Sequence, residues 1–443
     1  MGRSGGKWGS SGHLRLTYDR PSRASTGIGG VTLSMYCGPQ LPLRSLALYL
    51  QQFAVLSPRP PFEICAVRDR KLTIVKVLLV AGARPNIPKI APIAAALRQA
   101  GDPFTPPVVV HTGQHYDYQL AEIFFDELEL GPPQYHLQAR SDAGPVRQMA
   151  DIMDKFDPVL AEEAPDLVLV VGDVSSTVAC SLAAATRQIP IAHVEAGLRS
   201  GDRTMPEEIN RVAVDSVADM LFTHCAEADD HLRSEHVPER CIFRVGNVMI
   251  DTLHRFLPKA RASNTLDRFG VQAGQYGLVT LHRPSNVDDA PTLEGILDAL
   301  LELSKRMEIV FPVHPRTRQR LDTFDFTSRL ESAPGVHLCD PVGYLDMLAL
   351  QASARLVLID SGGIQEETTA LGVACMTLRP NTERRVTIDE GTNTLVGPSP
   401  DQIVAVATQI LDEGGKAGRI PDLWDGHASD RLVDILREGI IRR

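Results

Sequence analysis

The chain has 443 residues, a length that suits two or three domains rather than one. Its formal net charge is −10, with 43% hydrophobic and 23% charged residues, which is ordinary for a globular protein and gives no general affinity for nucleic acid. An acidic protein that binds an anionic ligand must place its cations locally. No apolar run reaches the roughly 18 residues that would indicate a membrane span.

Seven cysteines are scattered along the chain, without a CxxC pair or the Cys/His spacing of a metal site. An odd, dispersed set favours reduced thiols in a cytoplasmic protein. The cysteines therefore predict neither a disulfide framework nor a bound metal.

The first 74 residues differ from the rest of the chain. They are rich in Gly, Ser, Arg and Pro, and they hold ten basic residues against three acidic ones. The segment lacks the basic start, apolar core and small-residue cleavage site of a secretory signal. We expect a disordered or loosely packed extension over 1–74, or a start-site artefact, because Val75 stands where an initiator residue would.

Short apolar runs alternate with amphipathic helical segments from Lys76 onward. Continuous apolar strands with helices between them predict a parallel sheet covered on both faces. The first series of runs covers residues 77–80, 108–110, 167–171, 191–194 and 220–222. The second series covers residues 278–281, 309–311, 336–338, 356–359 and 374–376.

The series changes near residues 250–275, so the predicted fold class is α/β, with two doubly wound Rossmann-like domains. We expect the first domain over 75–255 and the second over 256–415. Residues 416–443 are predicted to form a C-terminal helix that packs back on the first domain. Two such domains leave an interdomain cleft at the carboxyl ends of their strands, where ligands of these sheets bind.

The first motif, residues 82–89, follows the first strand directly and opens a helix. Its free backbone N–H groups and the helix dipole, together with the cations of Arg84 and Lys89, suit an anion. The alternative is an ordinary strand-to-helix turn with solvated charges.

Carboxylates then follow two strands of the first domain. Asp173 ends one apolar strand and Glu195 the next, at positions where few charges lie without a role. Pro206 starts a helix in which Glu207 and Arg211 are four residues apart and share one face. Three carboxylates near one pocket suit proton transfer. The alternative for Glu207 and Arg211 is a surface ion pair worth well under ~1 kcal/mol.

The second domain offers groups that suit a phosphate. His282 and Arg283 end its first strand, although a lone histidine is more often structural. Residues 360–367 repeat the strand–turn–helix arrangement of the first motif. There, backbone N–H groups and a hydroxyl would take phosphate oxygens, and a later loop supplies another cation. The groups concerned are Ser361, Gly362, Gly363 and Arg384.

Glu367 lies one turn into the helix that follows this glycine pair. It could accept hydrogen bonds from ribose hydroxyls, as an acid does in dinucleotide sites. The alternative is a glycine-rich turn in which the acid only complements the helix dipole.

Nine motifs now stand in order from about Lys76 to the C-terminus, and residues 1–74 lie outside them. Each is weak alone, but together they closely resemble the non-hydrolysing UDP-N-acetylglucosamine 2-epimerases. The motifs are G-A-R-P-N-x-x-K, T-G-Q-H-Y-D, V-V-G-D, H-V-E-A-G-L-R, P-E-E-I-N-R, V-G-N-V-M-I-D, H-R-x-x-N, D-S-G-G-I-Q-E-E and T-E-R.

The resemblance implies a glycosyltransferase-B-like fold and interconversion of UDP-N-acetylglucosamine and UDP-N-acetylmannosamine, for cell-surface polysaccharide precursors. The implied route is loss of UDP with removal of the C2 proton to give 2-acetamidoglucal, followed by re-addition of UDP. It needs no cofactor, neither NAD nor a metal. The implied partner is the UDP-sugar, with no nucleic acid and no membrane, and the implied assembly is a homodimer.

The resemblance also implies roles for residues. Asp173, Glu195 and Glu207 correspond to the acid/base carboxylates, with Arg211 as their charged partner and His282 also at the catalytic centre. The nucleotide and pyrophosphate contacts correspond to Arg84, Lys89, His282, Ser361, Gly362, Gly363, Glu367 and Arg384. A departing diphosphate needs fixed cations and N–H donors where negative charge grows, and these groups supply them.

Several positions depart from the family pattern. In bacterial members, Gln-His followed three residues later by Met marks an allosteric site; Gln114 and His115 are present here, but Tyr118 replaces the methionine. This puts allosteric regulation in doubt. Other departures, among them a position where an aromatic ring can stack on uracil, are Asn86, Pro88, Ser285, Met347 and Arg385.

Alternatives remain open. The enzyme could act on a modified sugar, such as a UDP-2,3-diacetamido-uronic acid, or hydrolyse its product to free N-acetylmannosamine and UDP. A transferase of similar fold would need an acceptor groove. From a different class, a catalytically silent UDP-sugar sensor is disfavoured by the intact set of acids and His282.

Overall fold

The computed structural model describes residues 74–113, 118–139 and 144–441. The predicted extension lies outside these residues except for its last residue, and so do Gln114 and His115. Their predicted roles therefore stay predictions.

Residues 77–244 form a seven-stranded sheet in which every pairing is parallel. The strand order is β3-β2-β1-β4-β5-β6-β7, so the chain reverses direction across the sheet between β1 and β4. The strands are β1 (Val77–Ala81), β2 (Val108–His111), β3 (Tyr135–His136), β4 (Leu167–Val171), β5 (Ile191–Val194), β6 (Met220–Thr223) and β7 (Ile242–Arg244).

A second parallel sheet of six strands repeats the same winding, in the order β10-β9-β8-β11-β12-β13. Its reversal point lies between β8 and β11. The strands are β8 (Tyr276–Thr280), β9 (Glu308–Pro312), β10 (Val336–Cys339), β11 (Leu356–Ile359), β12 (Cys375–Thr377) and β13 (Asn393–Leu395).

Helices connect the strands and cover the sheets. Around the first sheet they are α1 (Ile87–Ala100), α2 (Tyr118–Glu127), α3 (Pro145–Glu163), α4 (Ser175–Thr186), α5 (Pro206–Val217), α6 (Ala226–Ser234) and α7 (Val248–Arg261). Then follow α8 (Thr265–Phe269), α9 (Pro284–Val287), α10 (Ala290–Leu303), α11 (Pro315–Thr323), α12 (Thr327–Glu331), α13 (Tyr344–Ser353), α14 (Gly363–Leu371), α15 (Arg385–Asp389), α16 (Pro400–Glu413) and α17 (Ala428–Ile441).

Each sheet has an apolar core on both faces. In β1, Leu78 packs into one core and Leu79 into another, because successive side chains of a strand point to opposite faces. In β11, Val357 and Leu358 divide in the same way. Burying one such side chain contributes about 1.5–3 kcal/mol, so strands buried on both faces are strongly specified. The predicted α/β fold with two parallel, doubly wound sheets is confirmed.

Three strands are missing from the sequence prediction: β3, β7 and β13. All three are edge strands of two or three residues, and none shows a fully buried pattern. Short edge strands carry too few apolar residues to stand out from loops. The prediction was therefore complete only for the buried interior of each sheet.

The last helix, α17, packs against α1 and α7 of the first half of the chain. Asp251 in α7 fixes its start, because its carboxylate accepts hydrogen bonds from the backbone N–H of Ala428 (3.0 Å) and Ser429 (2.6 Å). This contact gives the V-G-N-V-M-I-D motif a structural role. The predicted domain boundaries themselves stay predictions.

The described residues include no helix that is both long enough and apolar enough to cross a membrane. Five cysteines fall within the described part of the chain, and all five are free thiols: Cys180, Cys225, Cys241, Cys339 and Cys375.

Candidate active site

The predicted site residues cluster where the carboxyl ends of the two sheets meet. The loops after β1, β4 and β5 contribute from the first sheet, and those after β8, β11 and β12 contribute from the second. Among the contacts that join the two halves, Glu195 pairs with Arg384, and Glu207 pairs with Arg283 at 2.9 Å. Ligands of open parallel sheets bind at this position.

Asn86 holds the turn after β1. Its side-chain oxygen accepts hydrogen bonds from the backbone N–H of Gly82 (3.2 Å) and Ala83 (2.8 Å), and its amide donates to the Val171 carbonyl (3.1 Å). This departure from the family pattern therefore ties the turn to the end of β4. Arg84, in the same turn, lies 5.5 Å over the Phe124 ring, a cation–π contact.

Glu195 lies directly after β5 in the left-handed backbone region, with φ of +73°. A non-glycine residue is rarely found there, and such strain is maintained only where the surroundings enforce it. One carboxylate oxygen pairs with the ammonium of Lys89 and the other with the guanidinium of Arg384. Glu195 thus bridges a cation of each sheet, and its side chain is only 7% exposed.

Each of the three side-chain nitrogens of Arg384 faces a carboxylate. Nη2 faces Glu195, Nη1 faces Glu383, and Nε lies 3.2 Å from Glu366. Burial alone would lower the pKa of Arg384, but these carboxylates hold it well above its usual value. Arg379 binds the other oxygen of Glu383 at 2.8 Å. The cation predicted to bind phosphate is therefore fully charged and already neutralised within the protein.

The glycines of the 360–367 motif make room for these groups. A side chain at Gly362 would place its Cβ 2.7 Å from Nη1 of Arg384, and one at Gly363 would meet Met249 of α7 at 2.9 Å. Ser361 and the two glycines stand at the start of α14, where free N–H groups and the helix dipole favour an anion. The structure thus brings Arg384 against the predicted phosphate-binding turn.

Asp173 pairs with Arg211, which is 2% exposed and also binds Glu208 at 2.8 Å. Asn210 donates to the Asp173 carbonyl (2.8 Å), so α5 fixes both ends of this residue. The alternative interpretation of Glu207 and Arg211 as one surface ion pair is wrong. Arg211 points inward to Asp173, and Glu207 reaches the other sheet instead.

His193 fixes the strand ends beneath the acids. It is fully buried, with Nδ1 2.7 Å from Asp215 and Nε2 2.9 Å from the carbonyl of Gly172. These two contacts fix the orientation of the imidazole ring. Burial acts to raise the pKa of Asp215, but the hydrogen bond from His193 and the charge of Arg199 outweigh it and lower the pKa.

His282 is positioned by Asp360, which ends β11. The buried carboxylate accepts from the backbone N–H of His282 (3.0 Å) and of Arg283 (2.9 Å), and it lies 3.0 Å from Nδ1 of His282. Burial would raise the pKa of Asp360, but the imidazole charge and these hydrogen bonds lower it. The remaining ring nitrogen of His282 is therefore free to serve the cleft, and a third of the side chain is exposed (34%).

Glu367 differs from the sequence expectation. It is 3% exposed, and its two oxygens accept from Tyr344 Oη and Gln351 Nε2, both at 3.0 Å. Burial raises its pKa to about 7. Its predicted contact with ribose would require these hydrogen bonds to rearrange, so that role stays a prediction.

Sequence reasoning missed several charged residues of this cluster. Glu366, Glu383 and Arg379 are nearly fully buried, and Glu366 also lies 3.2 Å from His224. The signal was available, because Glu366 and Glu383 stand inside the motifs Q-E-E and T-E-R next to residues that were assigned. Among the described residues no group of three His, Cys, Asp or Glu side chains could hold a metal ion.

Fold and site define a class: an α/β protein with two parallel, doubly wound sheets and a buried cluster of carboxylates and cations contributed by both halves. A family model described as UDP-N-acetylglucosamine 2-epimerase matches residues 99–437. The chain belongs to the UDP-N-acetylglucosamine 2-epimerase family, and the resemblance seen in its motifs is confirmed.

Individual relatives agree. A Methanococcus maripaludis protein, named a UDP-N-acetylglucosamine 2-epimerase homolog, is 40% identical over 369 residues, which cover 82% of this chain and 99% of the relative. A Pseudomonas aeruginosa UDP-2,3-diacetamido-2,3-dideoxy-D-glucuronate 2-epimerase is 38% identical, with the same coverage. The crystal structure of Methanocaldococcus jannaschii UDP-GlcNAc 2-epimerase with UDP-GlcNAc and UDP aligns with a TM-score of 0.76 at 37% identity, over 82% of this chain and 100% of that one.

Proposed function

We propose that the protein catalyses the reversible C2 epimerisation of UDP-N-acetylglucosamine and UDP-N-acetylmannosamine. The observation that carries this proposal is the contact of Glu195 with Arg384. A predicted acid/base group of one sheet thus lies beside a predicted phosphate-binding cation of the other, which supports a site that handles both the C2 proton and the diphosphate.

The elimination step breaks the bond between C1 and the diphosphate oxygen, and UDP leaves with the electron pair. Negative charge grows on the departing diphosphate. Arg384, the N–H groups at Gly362 and Gly363, and the free face of His282 would stabilise it. Fixed donors in a site of low dielectric are effective here because they need no reorganisation as charge develops.

The same step removes the C2 proton to a carboxylate and leaves a double bond between C1 and C2 in 2-acetamidoglucal. Re-addition of UDP, with a proton delivered to the other face of C2, gives the epimer. Asp173, Glu195 and Glu207 supply the proton-transfer groups. The route has no net oxidation or reduction, so it needs no nicotinamide cofactor.

A second candidate substrate is a UDP-2,3-diacetamido-uronic acid, favoured by the 38% identity to the Pseudomonas aeruginosa enzyme. Both sugars share the diphosphate and the acetamido group at C2, so the contacts described above serve either one. Comparing kcat/KM for the two UDP-sugars separates them.

We also propose a cytoplasmic homodimer that supplies precursors for cell-surface polysaccharide, as the family resemblance implies. Light scattering coupled to gel filtration tests the assembly. A mass of twice the 48.3 kDa chain is expected, and a stable monomer would contradict it.

The direct test is to incubate the protein with UDP-N-acetylglucosamine in D2O and follow the sugar by NMR. We expect deuterium at C2 and a mixture of both UDP-sugars without net release of free sugar. Free N-acetylmannosamine as the main product would identify a hydrolysing enzyme. Binding without exchange would identify a sensor or a different sugar substrate.

A further inference from the structure

Glu195 occupies two of the cations that the family resemblance implies as nucleotide and pyrophosphate contacts. Lys89 and Arg384 are the predicted pyrophosphate contacts, and each binds one oxygen of the Glu195 carboxylate. Carboxylate and phosphate groups compete for the same donors, because both present paired anionic oxygens. A diphosphate that takes the donors now bound to Glu195 therefore displaces its carboxylate.

We propose that the substrate diphosphate displaces Glu195 from Lys89 and Arg384, so that binding of the diphosphate is the event that releases the acid/base group. This inference rests on the proposed function. It assigns to the two cations a role in holding Glu195 inactive until a diphosphate is present.

Glu195 is the carboxylate around Arg384 that can move. The other two carboxylates that contact Arg384, Glu366 and Glu383, have side chains only 1% exposed, against 7% for Glu195. Glu195 also comes from the opposite sheet, and its φ of +73° is a conformation that costs free energy. Of the three carboxylates, Glu195 is therefore the one whose displacement disturbs the least packing.

The charges of the cluster lead to a measurable consequence. The cations balance the carboxylates in the ligand-free protein, so an incoming diphosphate with two negative charges leaves an excess of negative charge. A carboxylate that exchanges two cations for a neighbouring anion binds a proton more readily. With Glu195, the charged groups of this cluster are Lys89, Asp173, Glu208, Arg211, His224, Glu366, Arg379, Glu383 and Arg384.

Substrate binding should therefore take up protons. Titration calorimetry with UDP-N-acetylglucosamine, in buffers of different ionisation enthalpy, measures this uptake directly. The diphosphate diester of this ligand does not itself titrate near neutral pH. We expect uptake of up to about one proton per ligand, larger at about pH 6 than at about pH 8.

Glu195→Gln gives the sharper test, because it removes the competing anion. It should abolish C2 exchange, remove the proton uptake and bind the UDP-sugar about 3- to 30-fold more tightly than the wild type. Glu195→Ala should likewise bind the UDP-sugar more tightly and lose the proton uptake. Thermal melting of both variants shows whether each one folds. The matched control is Asp173→Asn, which removes an acid held by Arg211 rather than by Lys89 or Arg384; it should retain the proton uptake.

Weaker or unchanged binding by folded Glu195→Gln, or binding heats of the wild type that do not depend on the buffer, would overturn the inference. Failure of the proposed function would look different: the wild type would show no C2 exchange in D2O, whatever its calorimetry. A third outcome separates the two proposals. If the wild type takes up protons and Glu195→Gln binds more tightly, but the wild type shows no C2 exchange, the displacement is supported and the epimerase proposal is rejected.

Discussion

The two sheets wind in the same way, but different groups follow their inner strands. In the first sheet, β4 and β5 are followed by the acids Asp173 and Glu195. In the second, β8 is followed by His282 and Arg283, and the helix after β11 starts with a glycine pair against Arg384. One scaffold thus serves proton transfer and anion binding, because the strand ends are fixed by the core while the loops are not.

The largest effect on activity is expected for a variant of the acids that follow the strands of the first sheet. Asp173→Asn should lower kcat by about 10²–10⁴-fold, since an amide cannot exchange a proton with C2. The fold should survive, because Arg211 keeps its ion pair with Glu208 at 2.8 Å. Steady-state rates of UDP-sugar interconversion, with circular dichroism, measure both effects.

The control for this variant is Asp157→Asn, which removes a carboxylate from a surface pair with Arg187. It should leave kcat unchanged. Full activity of Asp173→Asn would remove Asp173 from the mechanism.

The contrast between strand ends was largely visible in the sequence, whereas the pairing of charges was not. Apolar runs predicted β1, β4 and β11, since strands buried on both faces must be apolar. The position of Glu195 after β5 followed from the same pattern. Its partner Arg384 lies 189 residues away, and no local period relates the two.

Helical spacing misled where tertiary contacts decided. Glu207 and Arg211 share a helix face by spacing, yet Arg211 pairs with the partly buried Asp173, and Glu207 pairs with Arg283 after the first strand of the second sheet. Glu367 was the acid predicted to accept hydrogen bonds from ribose, but it is its neighbour Glu366 that contacts Arg384. Sequence alone locates a charged segment more reliably than the partner of each charge.

On the cation side, Glu367 should make stability depend on pH. Its pKa is about 7 when folded, against an ordinary 4.5, so the folded state keeps a proton that the unfolded state releases. The free energy of unfolding should then fall as pH rises from about 4.5 to 7, the reverse of an ion-paired carboxylate. Glu367→Gln should remove this loss and stabilise the protein by about 1–3 kcal/mol at pH 8.

Urea unfolding of both proteins at about pH 5 and pH 8 measures this difference. The variant and the wild type should be closer in stability at the lower pH. Greater destabilisation of the variant at the higher pH would show that Glu367 is ionised and favourably paired in the folded protein.

Gly362→Ala tests the phosphate-binding turn. The new methyl group would lie 2.7 Å from Nη1 of Arg384 and push the guanidinium from the turn. Because three carboxylates hold this buried guanidinium, we expect a lower melting temperature together with a rise in KM of about tenfold. Gly439→Ala is the matched control: its methyl group meets no atom within 4 Å, so KM should not change. An unchanged KM for Gly362→Ala would show that Arg384 does not contribute to diphosphate binding.

The smallest effect is expected for the ion pair between Arg283 and Glu207, which joins the two halves of the chain. Arg283 and Glu207 pair at 2.9 Å with side chains 20% and 32% exposed, so solvent weakens the pair to ~1 kcal/mol or less. In a double-mutant cycle of Arg283→Gln and Glu207→Gln, the coupling in unfolding free energy should be that small, while Glu207→Gln alone lowers kcat. A different outcome would contradict a direct role of Glu207. If Arg283→Gln lowered kcat as much as Glu207→Gln, and the double variant lost no more than either single variant, Glu207 would act only through this ion pair and not on the sugar.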